Sequence, residues 1–283
     1  MSAVLQSAHA NRAIVLRTRG RRHGPITRLV SPSVIGELIK PFVFLDLFDI
    51  RATGAPNFGW HPHSGIATLT VLHEGAIEYQ ETTGVKGVLS AGGVEWMRAG
   101  GGVWHTGAAL KSAKGFQLWI ALPPELENAP CQSHYLGAQE VAADQPVRVI
   151  LGSLGRAKSA INAPQDINYL DVQLAAGERW VYQPPLSHEV AWLALAQGSL
   201  RTPESVAAGE LVVFEESNAA LAIQAVSPSR FVLGSAAKHP HDLVLGRYSV
   251  HSTAAALLAG ESEIQRIGVQ LAAAGLLGEP ANT

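Results

Sequence analysis

The run Ile66-Ala67-Thr68-Leu69-Thr70-Val71-Leu72 is β-prone and sits between Ser64-Gly65 on one side and Glu74-Gly75 on the other. Gln117-Leu118-Trp119-Ile120 and Leu211-Val212-Val213-Phe214 are further short runs of this kind, bounded by Gly, Pro or Asn. Turn signals recur at Glu74-Gly75, Thr83-Gly84, Ala91-Gly92-Gly93, Gln197-Gly198 and Ala208-Gly209. Many short strands separated by glycine-rich turns predict an all-β sandwich or barrel. Helical spacing is confined to the end of the chain. Ser252 is positioned to cap a short helix holding Leu257 and Leu258, and beyond Gly260 the residues Ile264, Ile267 and Leu271 share one face of a second.

The two halves of the chain repeat one another weakly. Glu74-Gly75-Ala76-Ile77 followed by Ala91-Gly92-Gly93-Val94-Glu95-Trp96 has its counterpart in Gln197-Gly198-Ser199-Leu200 followed by Ala207-Ala208-Gly209-Glu210-Leu211-Val212. The pattern predicts two barrels of one type, with a boundary near residues 137–146. We therefore expect one unit over residues 1–136 and another, with the terminal helices, over 137–283.

Composition narrows the function. Of 283 residues, 47% are hydrophobic and 16% charged, which excludes a mainly disordered chain. Twenty-one Lys plus Arg against 23 Asp plus Glu give a net charge of −2, so no general attraction to nucleic acid or anionic lipid is expected. Arg17, Arg19, Arg21 and Arg22 form one local basic run, read as a solvated hairpin. The single Cys131 has no partner for an intrachain disulfide, which fits a reducing, cytoplasmic setting. Met1 to Ala10 lacks the basic and apolar regions of a signal peptide, and no run of about 18 apolar residues predicts a membrane span.

Gly59-Trp60-His61-Pro62-His63-Ser64-Gly65 carries the chemistry. Residues two apart in a strand point to one face, roughly 6.5–7 Å apart, so His61 and His63 can converge on one metal ion. Pro62 lacks an N–H, which places it on an edge strand. A third imidazole, His105, follows Gly100-Gly101-Gly102-Val103-Trp104 and reaches the pair if its strand lies alongside. Trp60 and Trp104 are then expected to face away from the metal. His239-Pro240-His241 has the same letters but no strand alternation around it, and reads as loop histidines.

These segments, in their order and spacing, resemble the pirin family. The resemblance rests on Pro41 to Asp46, His61-Pro62-His63-Ser64-Gly65, Ile77-Glu78, Gly93 to Met97, Ala99 to His105 and Gly115 to Ile120. It implies a bicupin, two cupin-type β-barrels packed face to face, with one divalent metal in the N-terminal barrel. His61, His63 and His105 take the places of the family's histidine ligands. The implied ion is Fe(II), with Zn, Ni, Mn or Cu also feasible. The family's fourth ligand, a glutamate two residues after the third histidine, is replaced here by Gly107, and the general cupin glutamate position holds Ala67. Three imidazoles alone leave a divalent ion at +2 instead of +1, with an additional open coordination position and weaker affinity. An empty site is the third reading, beside enzyme and regulator.

By resemblance the activity is that of a quercetin 2,3-dioxygenase, acting on a small aromatic, flavonol-like substrate. The alternative is a non-enzymatic, redox- or metal-sensing protein that binds a protein partner. Glu78, Glu81 and Glu95 lie nearby in sequence and read as surface or hairpin charges. Gln117 is expected near the pocket. In the second half, the offsets of His61, His63 and His105 from their turn glycines reach Pro184, Leu186 and Leu221, none a good ligand. That barrel is expected to hold no metal, with His188 and Glu189 as surface residues.

Overall fold

The computed structural model describes residues 12–51 and 57–277. The sequence reading of Met1 to Ala10 falls outside them. Ten strands carry the N-terminal part: β1 (Ile14–Thr18), β2 (Arg21–His23), β3 (Ile26–Val30), β4 (Phe42–Ile50), β5 (Asn57–His63), β6 (Ile66–Glu81), β7 (Lys86–Ser90), β8 (Val94–Arg98), β9 (Val103–Ala121) and β10 (Gln132–Leu136). Nine of them form one sheet, ordered β10-β8-β6-β9-β4-β3-β2, with β5 paired to β9 and β7 to β6.

The exception is β1. It pairs antiparallel with Leu211–Phe214 and forms the edge of a seven-stranded sheet made otherwise from the C-terminal half. The division at residues 136 and 137 therefore does not hold for these first residues. Against the seven-stranded sheet lies a four-stranded one, made of Arg179–Tyr182, Leu221–Ala225, Ser199–Thr202 and Glu204–Ala207. Arg17 and Arg19 of the expected basic hairpin are carried across with β1. Arg17 pairs with Glu204 at 3.1 Å and Glu210 at 3.0 Å, and Arg19 pairs with Glu210 at 3.1 Å.

Strand parity decides what each side chain meets. Ala67, Leu69 and Val71 of β6, Trp96 of β8 and Phe116, Leu118 and Ile120 of β9 join Tyr169, Trp192, Val213 and Val232 in one apolar cluster between the two halves. Burying each such side chain contributes about 1.5–3 kcal/mol. Within this interface His73 Nε2 lies 3.2 Å from Asp171 Oδ1, and Arg148 and Arg230 reach Asp171 Oδ2 at 3.0 and 2.7 Å. Burial alone would raise the Asp171 carboxyl, but its hydrogen bonds to His73 and Arg230 hold it below the usual carboxylate range.

Two sequence expectations are corrected here. Glu74-Gly75 is not a hairpin turn. Gly75 has φ +83° and sits at a register shift within the continuous strand β6, where a Cβ would lie 1.6 Å from the Ser112 carbonyl oxygen. It lets β6 bend. At the other end one helix, α1 (Ala254–Ala273), replaces the two short ones. Thr253 caps it by accepting the Ala256 N–H at 3.1 Å, while Ser252 gives its N–H and hydroxyl to Glu127. Gly260 does not break α1. It is buried where the helix passes over His251 and Ser64, and a Cβ there would lie 2.6 Å from both His251 Nε2 and Ser64 Oγ. Among the described residues no helix is long and apolar enough to cross a membrane.

Candidate metal centre

Among the described residues β5 pairs with β9 alone, in keeping with Pro62 lacking an N–H, with His61 opposite His105 and His63 opposite Val103. The three imidazoles therefore come from neighbouring strands. Ring centroids are 4.3 Å apart for His61 and His105, and 5.1 Å for His63 with either. Each ring offers one nitrogen within 4.8 Å of the others. Trp104, next to His105 in β9, points the other way and donates its Nε1–H to the Ile264 carbonyl of α1 at 2.7 Å.

The ring nitrogens are divided by their hydrogen bonds. His61 Nδ1 lies 2.8 Å from the Gly59 carbonyl oxygen and His63 Nδ1 lies 3.1 Å from that of Tyr248. As donors, these Nδ1–H groups leave Nε2 with its lone pair. His105 Nδ1 is 3.7 Å from Glu95 Oε1, while its Nε2 is buried with no hydrogen-bond partner. Burial pushes all three imidazoles down from their usual value, and His63 and His105 furthest, with the neighbouring rings adding to it. Neutral, lone-pair-bearing imidazoles with an orphaned buried nitrogen among them fit a first-row divalent ion.

The histidines open onto a cavity of about 430 Å³. Its walls are aromatic. Phe44 and Trp119 are stacked with centroids 4.0 Å apart and planes at 8°, and Tyr79 and Tyr135 at 3.7 Å and 2°. Arg28 lies 3.8 Å over the Phe44 ring and is paired with Asp46, while exposed Arg247 and half-buried Tyr248 are brought to the same cavity from the C-terminal half. Gln117 lines it too, in contact with Thr70 Oγ1 at 2.8 Å. Gly107 faces the cavity, whereas Ala67 packs in the interface cluster.

Of the three nearby glutamates only Glu78 is exposed. Glu81 is buried and accepts hydrogen bonds from the hydroxyls of Tyr135, Ser133 and Thr83. Glu95 is buried in the cavity wall and accepts from Thr70. Burial raises its carboxyl, and with the charges of Glu95 and Glu81 also raises the Tyr135 phenol, which stays a donor. The signal that would have placed Glu95 is parity. Val94 and Trp96 lie in the interface cluster, so the residue between them points inward.

His188 corrects a second reading. It is fully buried, with Nδ1 2.8 Å from Ser235 Oγ and Nε2 3.0 Å from Asp166 Oδ1. Its neighbour Glu189 is exposed. His239 and His241 lie in irregular chain, 5.2 Å apart and with no third ligand grouped with them among the described residues.

The architecture matches solved structures. A quercetin 2,3-dioxygenase from Acinetobacter baumannii superposes with a TM-score of 0.83 at 21% identity, covering 91% of this chain and 98% of that one. A bacterial pirin from Escherichia coli, in complex with nickel(II), gives 0.64 at 22%, covering 81% and 96%. The fold is thus that of the cupin class, in its two-unit form. A family model described as Pirin matches residues 26–120. A pirin-like protein of Caulobacter vibrioides is 32% identical over 216 residues, which are 70% of this chain and 75% of that one. The chain belongs to the pirin family. A provisionally named quercetin 2,3-dioxygenase of Pseudomonas aeruginosa is 34% identical over 179 residues, 58% of this chain and 62% of that one.

Proposed function

We propose that this pirin is a metal-dependent oxygenase of the quercetin 2,3-dioxygenase type, with one divalent ion held by His61, His63 and His105. The site belongs to the first of two units, 1–136 and 137–283, with β1 lent to the second. The observation that carries this reading is the convergence of three neutral imidazoles, within 4.8 Å, at a cavity of about 430 Å³. The name of the Pseudomonas relative supports it. Fe(II) is the ion that the family resemblance favours. When bound, the ion supplies Lewis acidity toward a substrate hydroxyl and a place for oxygen chemistry.

The rest is done by the chain. Trp119, stacked on Phe44, and the Tyr79–Tyr135 pair give the cavity aromatic walls suited to a planar ring. Thr70 and Gln117 present polar atoms that orient hydroxyl groups of such a ring. The hydrogen bonds of His61 and His63 to carbonyls hold both rings in one tautomer and orientation. A small aromatic, flavonol-like compound is the substrate this cavity fits, in a cytoplasmic protein with no direct role for nucleic acid or membrane.

The test is aerobic incubation of quercetin with protein loaded separately with iron, copper, nickel, manganese or zinc. Loss of the flavonol absorbance with one of them is expected. No loss with any of them overturns the oxygenase reading and leaves a metal-binding, partner-binding role.

A further inference from the structure

We propose that Glu95 is the carboxylate of this centre, acting through His105 as acceptor of its Nδ1–H and standing in for the glutamate replaced by Gly107. This rests on the metal reading of the three histidines.

The three imidazoles share one arrangement. Nδ1 of His61 and His63 meets the carbonyl oxygens of Gly59 and Tyr248 at 2.8 and 3.1 Å, and Nδ1 of His105 lies 3.7 Å from Glu95 Oε1 with its buried Nε2 unpartnered. The first two acceptors are neutral carbonyls. The third belongs to a carboxyl group. A metal-bound imidazole that donates its other N–H to a carboxylate becomes a stronger ligand and carries negative charge toward the ion.

Glu95 is held for this role. On β8 it lies opposite Thr70 of β6 and Tyr135 of β10, so hydroxyl-bearing residues flank it on both sides. Thr70 donates to Oε2. Oε1 has Tyr135 at 3.5 Å and His105 Nδ1 at 3.7 Å, so it is less committed than Oε2, which takes the Thr70 hydroxyl. The other carboxylates near the cavity are already committed. Asp46 is paired with Arg28, and Glu81 accepts three hydroxyls. A carboxylate behind His105 returns one negative charge to the centre while leaving an additional coordination position open, which a glutamate at 107 would occupy.

Packing does not demand glycine at 107. A Cβ there would meet Ile77 Cγ2 at 3.5 Å and the Glu78 carbonyl oxygen at 3.6 Å, ordinary contacts, and the backbone is not left-handed. A carboxylate can therefore be put back where the family carries it.

The experiment is Co(II) titration of metal-free full-length protein against a competing chelator, with the visible absorption of the bound ion recorded. Glu95→Gln, which keeps an acceptor for Thr70, is expected to weaken Co(II) binding about 10–100-fold and to alter the Co(II) spectrum. The double variant E95Q/G107E is expected to regain affinity. Binding by the wild type with E95Q unchanged in affinity and spectrum overturns this proposal alone. No Co(II) binding by the wild type removes the metal reading and this proposal with it. If E95Q does not fold, the wild type still decides. Long-range proton–nitrogen spectra of the Zn(II)-loaded protein should show His105 protonated at Nδ1, and protonation at Nε2 overturns the proposal.

Discussion

Ala67, Leu69 and Val71 of β6 meet Tyr169 of the strand Ile167–Leu174 across the interface, but their neighbours along each strand face two different interiors. Inward from the N-terminal sheet point Thr70, Glu95, Gln117 and the three histidines, around a cavity. Inward from the C-terminal sheets point Leu170, Val172, Leu193, Val212, Phe231 and Leu233, packed against Leu221 and Ile223. The outer face of each half is spent on holding the other. The inner face alone decides whether a half is a vessel or a solid core, and polar residues at alternate positions of a few strands are enough to make the difference.

Truncating matched aromatics is the most severe test of that contrast. Phe231→Ala should cost about 3–5 kcal/mol, because it opens a hole in close-packed surroundings. Phe58 lines the metal-site cavity, so Phe58→Ala, which enlarges a space already present, should cost under about 1.5 kcal/mol. Denaturant midpoints measure both, and equal losses would erase the distinction between the interiors. Next in size is His105→Ala, expected to weaken divalent-metal binding at least about 100-fold, or about 2.7 kcal/mol, in elemental and competition assays. His188→Ala in the other half should leave that affinity as it is.

Gly260→Ala forces a methyl group against His251 and Ser64, with an expected loss of about 1–3 kcal/mol in thermal unfolding. Because Ser64 follows His63, the same variant should also loosen metal binding, which a purely peripheral helix would not do. Per pH unit, the smallest effect concerns the shared interface. Asp171 is held below its ordinary value of 3.8, so its contribution is complete above that pH and is lost as pH falls below it. Unfolding free energy should therefore drop by up to about 1.4 kcal/mol per pH unit from about pH 4 downward. An unchanged stability through that range would mean that the carboxylate has no special environment.

Much of the N-terminal half was legible because its signals are local. His-Pro-His names an edge strand and two same-face imidazoles within three residues, and the glycines before His105 announce the third. Glu95 was not legible as a buried group. Its letters look like any hairpin charge until the register of β8 against β6 fixes which way it points. Gly260 misled for a related reason. A glycine in a helical pattern reads as a stop, and only the close passage over His251 and Ser64 explains it as a contact. His188 reads as a surface residue because its partners, Ser235 and Asp166, lie 47 and 22 positions away. The pairing of β1 with Leu211–Phe214 spans most of the chain, and no local pattern encodes it.

That last pairing limits how this polypeptide can be cut or built. A fragment beginning at residue 137 would expose the flank of Leu211–Phe214 as an unpaired ribbon, ready to recruit strands from other molecules and precipitate. The opposite fragment would carry a loose leading ribbon with nothing to bind. On the ribosome, residues 14–18 emerge well before Leu211–Phe214 and cannot pair until that strand has been made. The later-made half is thus completed by a segment made before it, and any gene that separates the two must supply that missing edge anew.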